Sequence, residues 1–262
     1  MIDLHCHILP SLDDGPANLD FSVAMARVAA AAGTNVIVAT PHIRDDYEVE
    51  IDSIERQVRE LNDAITAEGH QVLVLTGGEV ALEKAGQLSD DELRAVCLGS
   101  SSLLLLESPY RSRDIDIEGI ADEVRERGFR PVLAHPERCP IFQRDPDRLA
   151  RLVNGGVMCS VTSGSLAGRF GQTVKRFTIE LFADGLVHDV ASDAHDHVHR
   201  PPDLLTGFRA AEAELPGIAS QATWFTVTAP VAMLAGRPLP SRPDPPPRPP
   251  TSRWRRLAGR LS

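Results

Sequence analysis

Residues 2–7 read IDLHCH, a short apolar run that ends in two histidines, and the pattern returns along the chain. NVIVATPH (35–42) ends in His42, VLVLTGGE (72–79) in Glu79, SLLLLE (102–107) in Glu107 and PVLAH (131–135) in His135. VMCSVT (157–162) offers Ser160 or Thr162, and VHDVASDAH (187–195) offers Asp193 with His195. Successive run ends lie roughly 30 residues apart, the length of a strand, a helix and two loops. Short continuous apolar runs are expected of parallel strands buried on both faces. We therefore read strands at 2–7, 35–40, 72–77, 102–107, 131–135, 157–161 and 187–192. Helices are expected near 19–32, 51–68, 88–96, 117–127, 146–153, 172–184 and 203–214. The first is preceded by Asn18 as N-cap, and Gly33, Gly69 and Gly128 stop three of them. Seven β/α units predict an α/β barrel, whose active site forms at the C-terminal ends of the strands. An open doubly wound sheet is the competing topology, but it gathers ligands chiefly at its switch point. Ligand types at six of seven run ends converge more readily in a closed ring.

Composition narrows the function. The 262 residues are 42% hydrophobic and 24% charged, as for one globular barrel. No run approaches the roughly 18 apolar residues of a membrane span. MIDLHCHILP has neither a basic n-region nor a cleavable apolar segment, so a cytoplasmic protein is expected. The net charge of −10 is unevenly placed. Residues 237–262 carry seven Arg against one Asp, so residues 1–236 hold −16, which argues against a nucleic-acid-binding body. We read 1–236 as the barrel domain and 237–262 as a Pro/Arg-rich tail, extended and flexible. Its end, SRWRRLAGRLS, spaces Trp254, Leu257 and Leu261 as a helix would. It is either a docking segment for an acidic partner or membrane surface or a solubilising tail.

The chemistry lies in the run ends. On a strand, residues i and i+2 share a face, so His5 and His7 point together, and the ASDAH segment spaces Asp193 and His195 likewise. Cys6 faces away from its neighbouring histidines. Asp14, in the turn Leu12-Asp13-Asp14-Gly15, can swing back over the mouth, whereas Asp13 is read as a local turn cap. Pro41 sets up the turn that presents His42. A carboxylate such as Glu107 at the tip of a fully apolar strand is costly unless paired or metal-bound. Five His (5, 7, 42, 135, 195) and four carboxylates (Asp14, Glu79, Glu107, Asp193) exceed what one tetrahedral ion takes. Two or three divalent ions fit better, and donors without thiolate suit Mn, Fe or Zn. Arg138 and Arg200 follow ligand clusters, and a guanidinium fork matches phosphate. Arg44 is a weaker third candidate.

Other mechanisms fail on the residues. A cysteine phosphatase needs C-x5-R, yet six positions after the four cysteines stand Leu12, Leu103, Asp145 and Ser165. Asp114-Ile-Asp116 imitates an aspartyl-phosphate pair, but no apolar strand precedes it. No nucleotide-cradling glycine motif occurs. Neither Lys84 nor Lys175 ends an apolar run, which argues against a carboxylated-lysine amidohydrolase. The residues alone support a metal-dependent phosphomonoester hydrolase. Its rivals are a small-molecule phosphatase (histidinol phosphate, for example), a nuclease, and a metal-bearing scaffold that binds a kinase tail.

MIDLHCHILPSLDDG, VIVATPH, GGE, Glu107, AHPER and ASDAH with Arg200 behind it resemble the PHP (polymerase and histidinol phosphatase) superfamily. They resemble most its bacterial protein-tyrosine phosphatases of the CpsB/CapC type, encoded with capsule and exopolysaccharide genes. The match runs in order over about residues 1–235. The resemblance implies a distorted seven-stranded barrel and a trinuclear, frequently manganese-supported site. His5, His7, Glu79 and Asp193 would hold one ion. Glu79, bridging, would hold the second with Glu107 and His135, and Asp14, His42 and His195 the third. It also implies that Arg138 and Arg200 bind phosphate. Beyond the resemblance, we expect His42 or His195 to assist the reaction where it is not fully taken up as a ligand. The implied substrate is phosphotyrosine, particularly in the C-terminal tail of a bacterial tyrosine autokinase.

Overall fold

The computed structural model describes residues 1–110 and 115–246. Nine parallel strand segments make up the framework: β1 (Ile2–Cys6), β2 (Val36–Ala39), β3 (His42–Ile43), β4 (Leu73–Leu75), β5 (Glu79–Ala81), β6 (Leu103–Glu107), β7 (Arg130–Ala134), β8 (Met158–Thr162) and β9 (Asp189–Ala191). They form two ladders, β1-β2-β4 and β3-β5-β6-β7-β8-β9. β2 and β4 fall within the expected strands 35–40 and 72–77, whereas β3, after Thr40-Pro41, and β5, after Thr76-Gly77-Gly78, are short further segments that were not expected. The seven expected strands are thus present, and two of them are continued after a break.

The breaks let the ring close around a site. Pro41 has no N–H to offer the ladder, while its carbonyl accepts from Glu79 N at 3.0 Å. A Cβ on Gly77 would stand 2.7 Å from Val38 Cγ1 and 3.0 Å from the Ala39 carbonyl, so only glycine permits this approach. The other seam closes where Asp193 N donates to His5 O and His7 N to Ala194 O. The result is a distorted seven-stranded α/β barrel.

Helices cover the outside where the apolar spacing placed them. Leu19–Ala31 is capped by Asn18, whose side chain accepts from Phe21 N, and Ile51–Ala67 buries Ile54, Val58, Leu61 and Ile65. Asp90–Ala95, Ile117–Glu126, Pro146–Asn154, Gln172–Ala183 and Leu205–Ala211 follow the remaining expectations within a few residues. Asp116 caps Ile117–Glu126 by accepting from Gly119 N, a local role, and Asp114 lies outside the described residues. A second apolar cluster, including Leu4, Val38, Leu103, Leu105, Val132 and Met158, fills the ring beneath its mouth. Its stopper is Met233, from a C-terminal helical stretch (Trp224–Thr228, then Ala229–Leu234) that the spacing did not reveal. None of the described helices is long and apolar enough to cross a membrane.

The tail differs from expectation in its first part. Residues 238–246 form no helix or strand, yet part of the segment is packed. Trp224 Nε1–H donates to Ser241 O at 3.1 Å, Gln221 Nε2 donates to Asp244 O at 3.0 Å, and Arg242 lies 5.5 Å over the Trp224 ring. Leu239 packs on the core and Pro246 is buried. The indole edge offers a donor that an extended carbonyl satisfies, so a proline-rich strip can dock there without secondary structure. Trp254, Leu257 and Leu261 lie outside the described residues.

Two further carboxyls, Asp3 on β1 and Asp189 on β9, are fully buried. Asp189 accepts from Ser160 Oγ at 3.0 Å while its Oδ1 has no partner among the described residues. Burial pushes its pKa up to about 8, against the Ser160 bond that favours ionisation, and nearby Asp3 pushes it further. The folded state therefore holds this proton more tightly than the unfolded chain does. Its contribution is fully present below the ordinary carboxyl range and is lost as pH rises through about 8. Asp189→Asn should flatten the fall in unfolding free energy between pH 5 and pH 8, measured by urea denaturation. An unchanged slope would show that Asp189 is not proton-linked.

Candidate metal centre

β1 turns His5 and His7 to the same side, with their Nε2 atoms 3.2 Å apart. β3 and β5 set His42 beside Glu79 in register, and β6 ends in Glu107. His135 follows β7 and Asp193 follows β9. Both have left-handed backbone (φ 37° and 51°), a conformation that non-glycine residues hold at a cost of about 1–3 kcal/mol. Among the described residues, Ser11 is the only other non-glycine residue of this kind. The strain sits at candidate ligands, where it re-aims the side chains inward. Asp14 swings back as expected: its Oδ1 lies 3.2 Å from His195 Nε2 and 3.6 Å from His42 Nε2.

All nine candidates meet at one mouth. Their donor atoms fall into four overlapping groups, within each of which the atoms lie inside 4.8 Å of one another. These are His7, Asp14, His42 and His195; His5, His7 and Asp193; His5, Glu79 and His135; and His42, Glu79 and Glu107. β8 contributes none. Ser160 is bound to Asp189, and Thr162 donates through its N–H and hydroxyl to the buried Glu137 Oε1. Both lysines are paired elsewhere, Lys84 with Asp45 and Lys175 with Glu214. The four cysteines are buried free thiols, and Cys6 packs into the outer core cluster.

The donors fit divalent cations. Glu79 Oε2 is fully buried, has no hydrogen-bond partner among the described residues, and is approached by His42 Nδ1 at 3.1 Å, His5 Nε2 at 3.3 Å and His7 Nε2 at 3.4 Å. Its Oε1 lies 2.7 Å from His135 Nε2. A carboxylate oxygen facing several ring nitrogens without aligned hydrogens is satisfied by positive charge at their common focus. The carboxylates are held apart in charge state. Burial resists ionisation of Asp193, but Arg138 and His5 overcome it and keep the carboxyl well below the usual range. Burial and then the Glu79 charge push Glu107 up to about 7. Burial and neighbouring Arg138 push His135 down to about 4, leaving it neutral as a metal ligand must be.

The arginines lie at the same mouth. Arg138 Nη2 and Arg200 Nη2 both donate to Asp193 Oδ2, the latter at 2.8 Å, and buried Arg138 Nε has no partner among the described residues. Asp196 accepts from Val198, His199 and Arg200 N–H groups and so shapes the loop that carries Arg200. Arg44 instead reaches Glu107, at 3.1 Å and 3.3 Å from its two oxygens. Its place is beside a candidate ligand, not beside the paired arginines.

Sequence reasoning missed two residues. Asp13 does cap its turn, accepting from Gly15 N at 3.0 Å, but its Oδ2 also lies 2.7 Å from His7 Nδ1 and accepts from His42 N at 2.9 Å. Burial opposes the charged form of His7, yet Asp13 and Glu79 raise its pKa to about 10, so a cation that binds His7 must displace a proton from it. Tyr110, whose OH lies 3.2 Å from His135 Nδ1, had no periodicity to mark it. Asp13 could have been suspected because carboxylates commonly orient ligating histidines.

The model of a family described as capsular polysaccharide synthesis, CpsB/CapC, matches residues 1–221. The chain belongs to this family. It is 36% identical over 199 residues to the tyrosine-protein phosphatase YwqE of Bacillus subtilis, covering 75% of this chain and 78% of that one. It is 28% identical over 216 residues to the tyrosine-protein phosphatase CpsB of Streptococcus agalactiae, covering 80% and 88%. A solved structure from work on YwqE of Bacillus subtilis and CpsB of Streptococcus pneumoniae, described as metal-dependent tyrosine phosphatases, superposes with a TM-score of 0.82. That match is 33% identical and spans 94% of this chain and 99% of the other. A variant organophosphorus hydrolase, 14% identical with a TM-score of 0.55, shares the fold.

If Asp13 fixes the ring and tautomer of His7, Asp13→Asn should weaken Mn²⁺ binding about 10–100-fold in calorimetric titration. Wild-type affinity in that variant would mean that His7 is oriented without it.

Proposed function

We propose that this chain is a metal-dependent protein-tyrosine phosphatase acting on phosphotyrosyl protein in capsule or exopolysaccharide synthesis. The observation that carries the reading is the pairing of Arg138 and Arg200 on one oxygen of Asp193, itself among the nine clustered donors. A dense N/O metal site flanked by two guanidinium forks suits a phosphate ester better than an amide or a lactone. The named activity of a relative at 36% identity supports the same reaction.

His5, His7, Glu79 and Asp193 would hold one divalent ion, Glu79 with Glu107 and His135 a second, and Asp14, His42 and His195 a third. We favour manganese, with iron or zinc suited to the same donors. When bound, such ions neutralise phosphoryl charge and lower the pKa of coordinated water towards about 7. The protein's own part is to grip and orient. Arg138 and Arg200 donate to the phosphoryl oxygens, the unpaired Arg138 Nε supplying a further donor. Asp193 holds both guanidinia in place. Phenolate is a good leaving group, with a pKa of about 10, so no strong general acid is required. His42 or His195, beside the half-exposed Asp14, would handle a proton at the rim where it is not taken up as a ligand. We take the natural substrate to be the tyrosine-bearing C-terminal tail of a bacterial autokinase and the place of action to be the cytoplasm.

Phosphate release from a phosphotyrosyl peptide by chelator-stripped protein should be absent and should return with Mn²⁺. Arg138→Ala should lower kcat by about 10²–10³, and His135→Ala should abolish the response to metal. Release from histidinol phosphate but not from the peptide would replace this reading with that of a small-molecule phosphatase.

A further inference from the structure

The chain contains only two tyrosines, and both stand at the mouth of the metal centre. Tyr47 lies parallel to His42, with centroids 5.3 Å apart and an interplanar angle of 5°. Tyr110 stacks on His135 at 5.5 Å and 28°. Phe170, in the loop after the helix Ser163–Ala167, lies 4.5 Å over the Arg138 guanidinium and 6.0 Å from that of Arg200. The Tyr110 ring is 5.6 Å from the same Arg138 carbon. Arg138 is therefore flanked by two aromatic rings carried on separate loops.

We infer that Tyr110 and Phe170 form a slot that recognises the aryl group of the ester, an inference that rests on the phosphatase reading above. The route from solvent supports it. The Arg138 side chain is 9% exposed, whereas Tyr110 is 41% exposed. An ester held by Arg138 must send its alcohol side outward, and the exposed Tyr110 ring stands 5.6 Å from that guanidinium to meet it. Tyr110 also lines a groove of about 740 Å³ with Arg44, Asp46, Lys84 and Glu107, so what leaves the slot has room for a peptide. An aromatic ring offers faces and edges to Tyr110 and Phe170, whereas the short alkyl stem of a phosphoserine offers neither. The Tyr110 hydroxyl is engaged with His135 Nδ1, which fixes the ring on its hinge. If Tyr110 served only to prop His135, its ring would need no exposed face.

The test separates the ring from the hydroxyl and needs no turnover. Affinities of benzylphosphonate and ethylphosphonate for the Mn²⁺-loaded protein are measured by calorimetry for wild type, Tyr110→Phe, Tyr110→Leu and Phe170→Leu. Wild type should prefer the benzyl compound. Each Leu variant should lose about three- to tenfold of that preference, the range expected of one aromatic contact. Tyr110→Phe should keep the preference, even where a loosened His135 lowers both affinities together. A preference unchanged in both Leu variants, or absent in wild type, overturns the slot while leaving the phosphatase reading intact. If neither phosphonate binds, Arg138 does not hold the anion, and the slot falls with it. The phosphatase reading has its own separate failure, no phosphate release from the phosphotyrosyl peptide with metal bound.

Discussion

Glu79 sees no solvent, and four imidazoles crowd its two oxygens: His5, His7 and His42 around Oε2, and His135 at Oε1. A charge so deeply buried is untenable alone, so the fold around it must deliver positive charge to one point. Burial would drive this carboxyl towards neutrality, but His5 and His135 hold it well below the ordinary range. The requirement accounts for the least regular features of the barrel. The strand carrying Glu79 is broken at Gly77-Gly78 because an unbroken strand would not let it cross so close to Val38 and Ala39. The strand carrying His42 is broken at Pro41, whose carbonyl then receives the Glu79 N–H. Left-handed backbone at His135 and Asp193 supplies the remaining convergence.

Around that centre the polar groups form a graded set. Asp13 orients His7, Tyr110 orients His135, and Arg44 caps Glu107. None of them belongs to the nine clustered donors. Each constrains a donor whose position would otherwise depend on the ion itself, the usual role of a surrounding shell of hydrogen bonds. Asp193 joins the two halves of the chemistry, since it belongs to a donor group with His5 and His7 and also anchors Arg138 and Arg200. A substitution there would disturb ion and anion binding together.

Much of this was legible in the sequence, for a physical reason. Parallel strands buried on both faces leave continuous apolar runs, and a run that ends in His, Asp or Glu marks a strand end facing the mouth. The seven strands and eight of the nine clustered donors followed from that one regularity, whereas the helices came from their own apolar spacing and Asp14 from the turn Leu12–Gly15. The breaks at Thr40-Pro41 and Thr76-Gly77-Gly78 were written as turn residues, but nothing local says that pairing changes partner across them. Asp13 was half legible, because its bond to Gly15 is local while its contact with His7 depends on the closed ring. Tyr110 and Phe170 are single aromatics in loops, without period or spacing. Nor could composition show that residues 238–246 dock on Trp224, since a proline-rich strip looks the same packed or free.

If one buried carboxylate organises a site for more than one cation, the number of tightly bound ions per chain must depend on it. That number is read by elemental analysis after equilibration with Mn²⁺ and gel filtration, in wild type and Glu79→Gln. Wild type should retain two or three ions and the variant should lose more than one of them, because Glu79 faces donors of several groups at once. A wild type that retains a single ion, or a variant that retains the full complement, would remove Glu79 from that role.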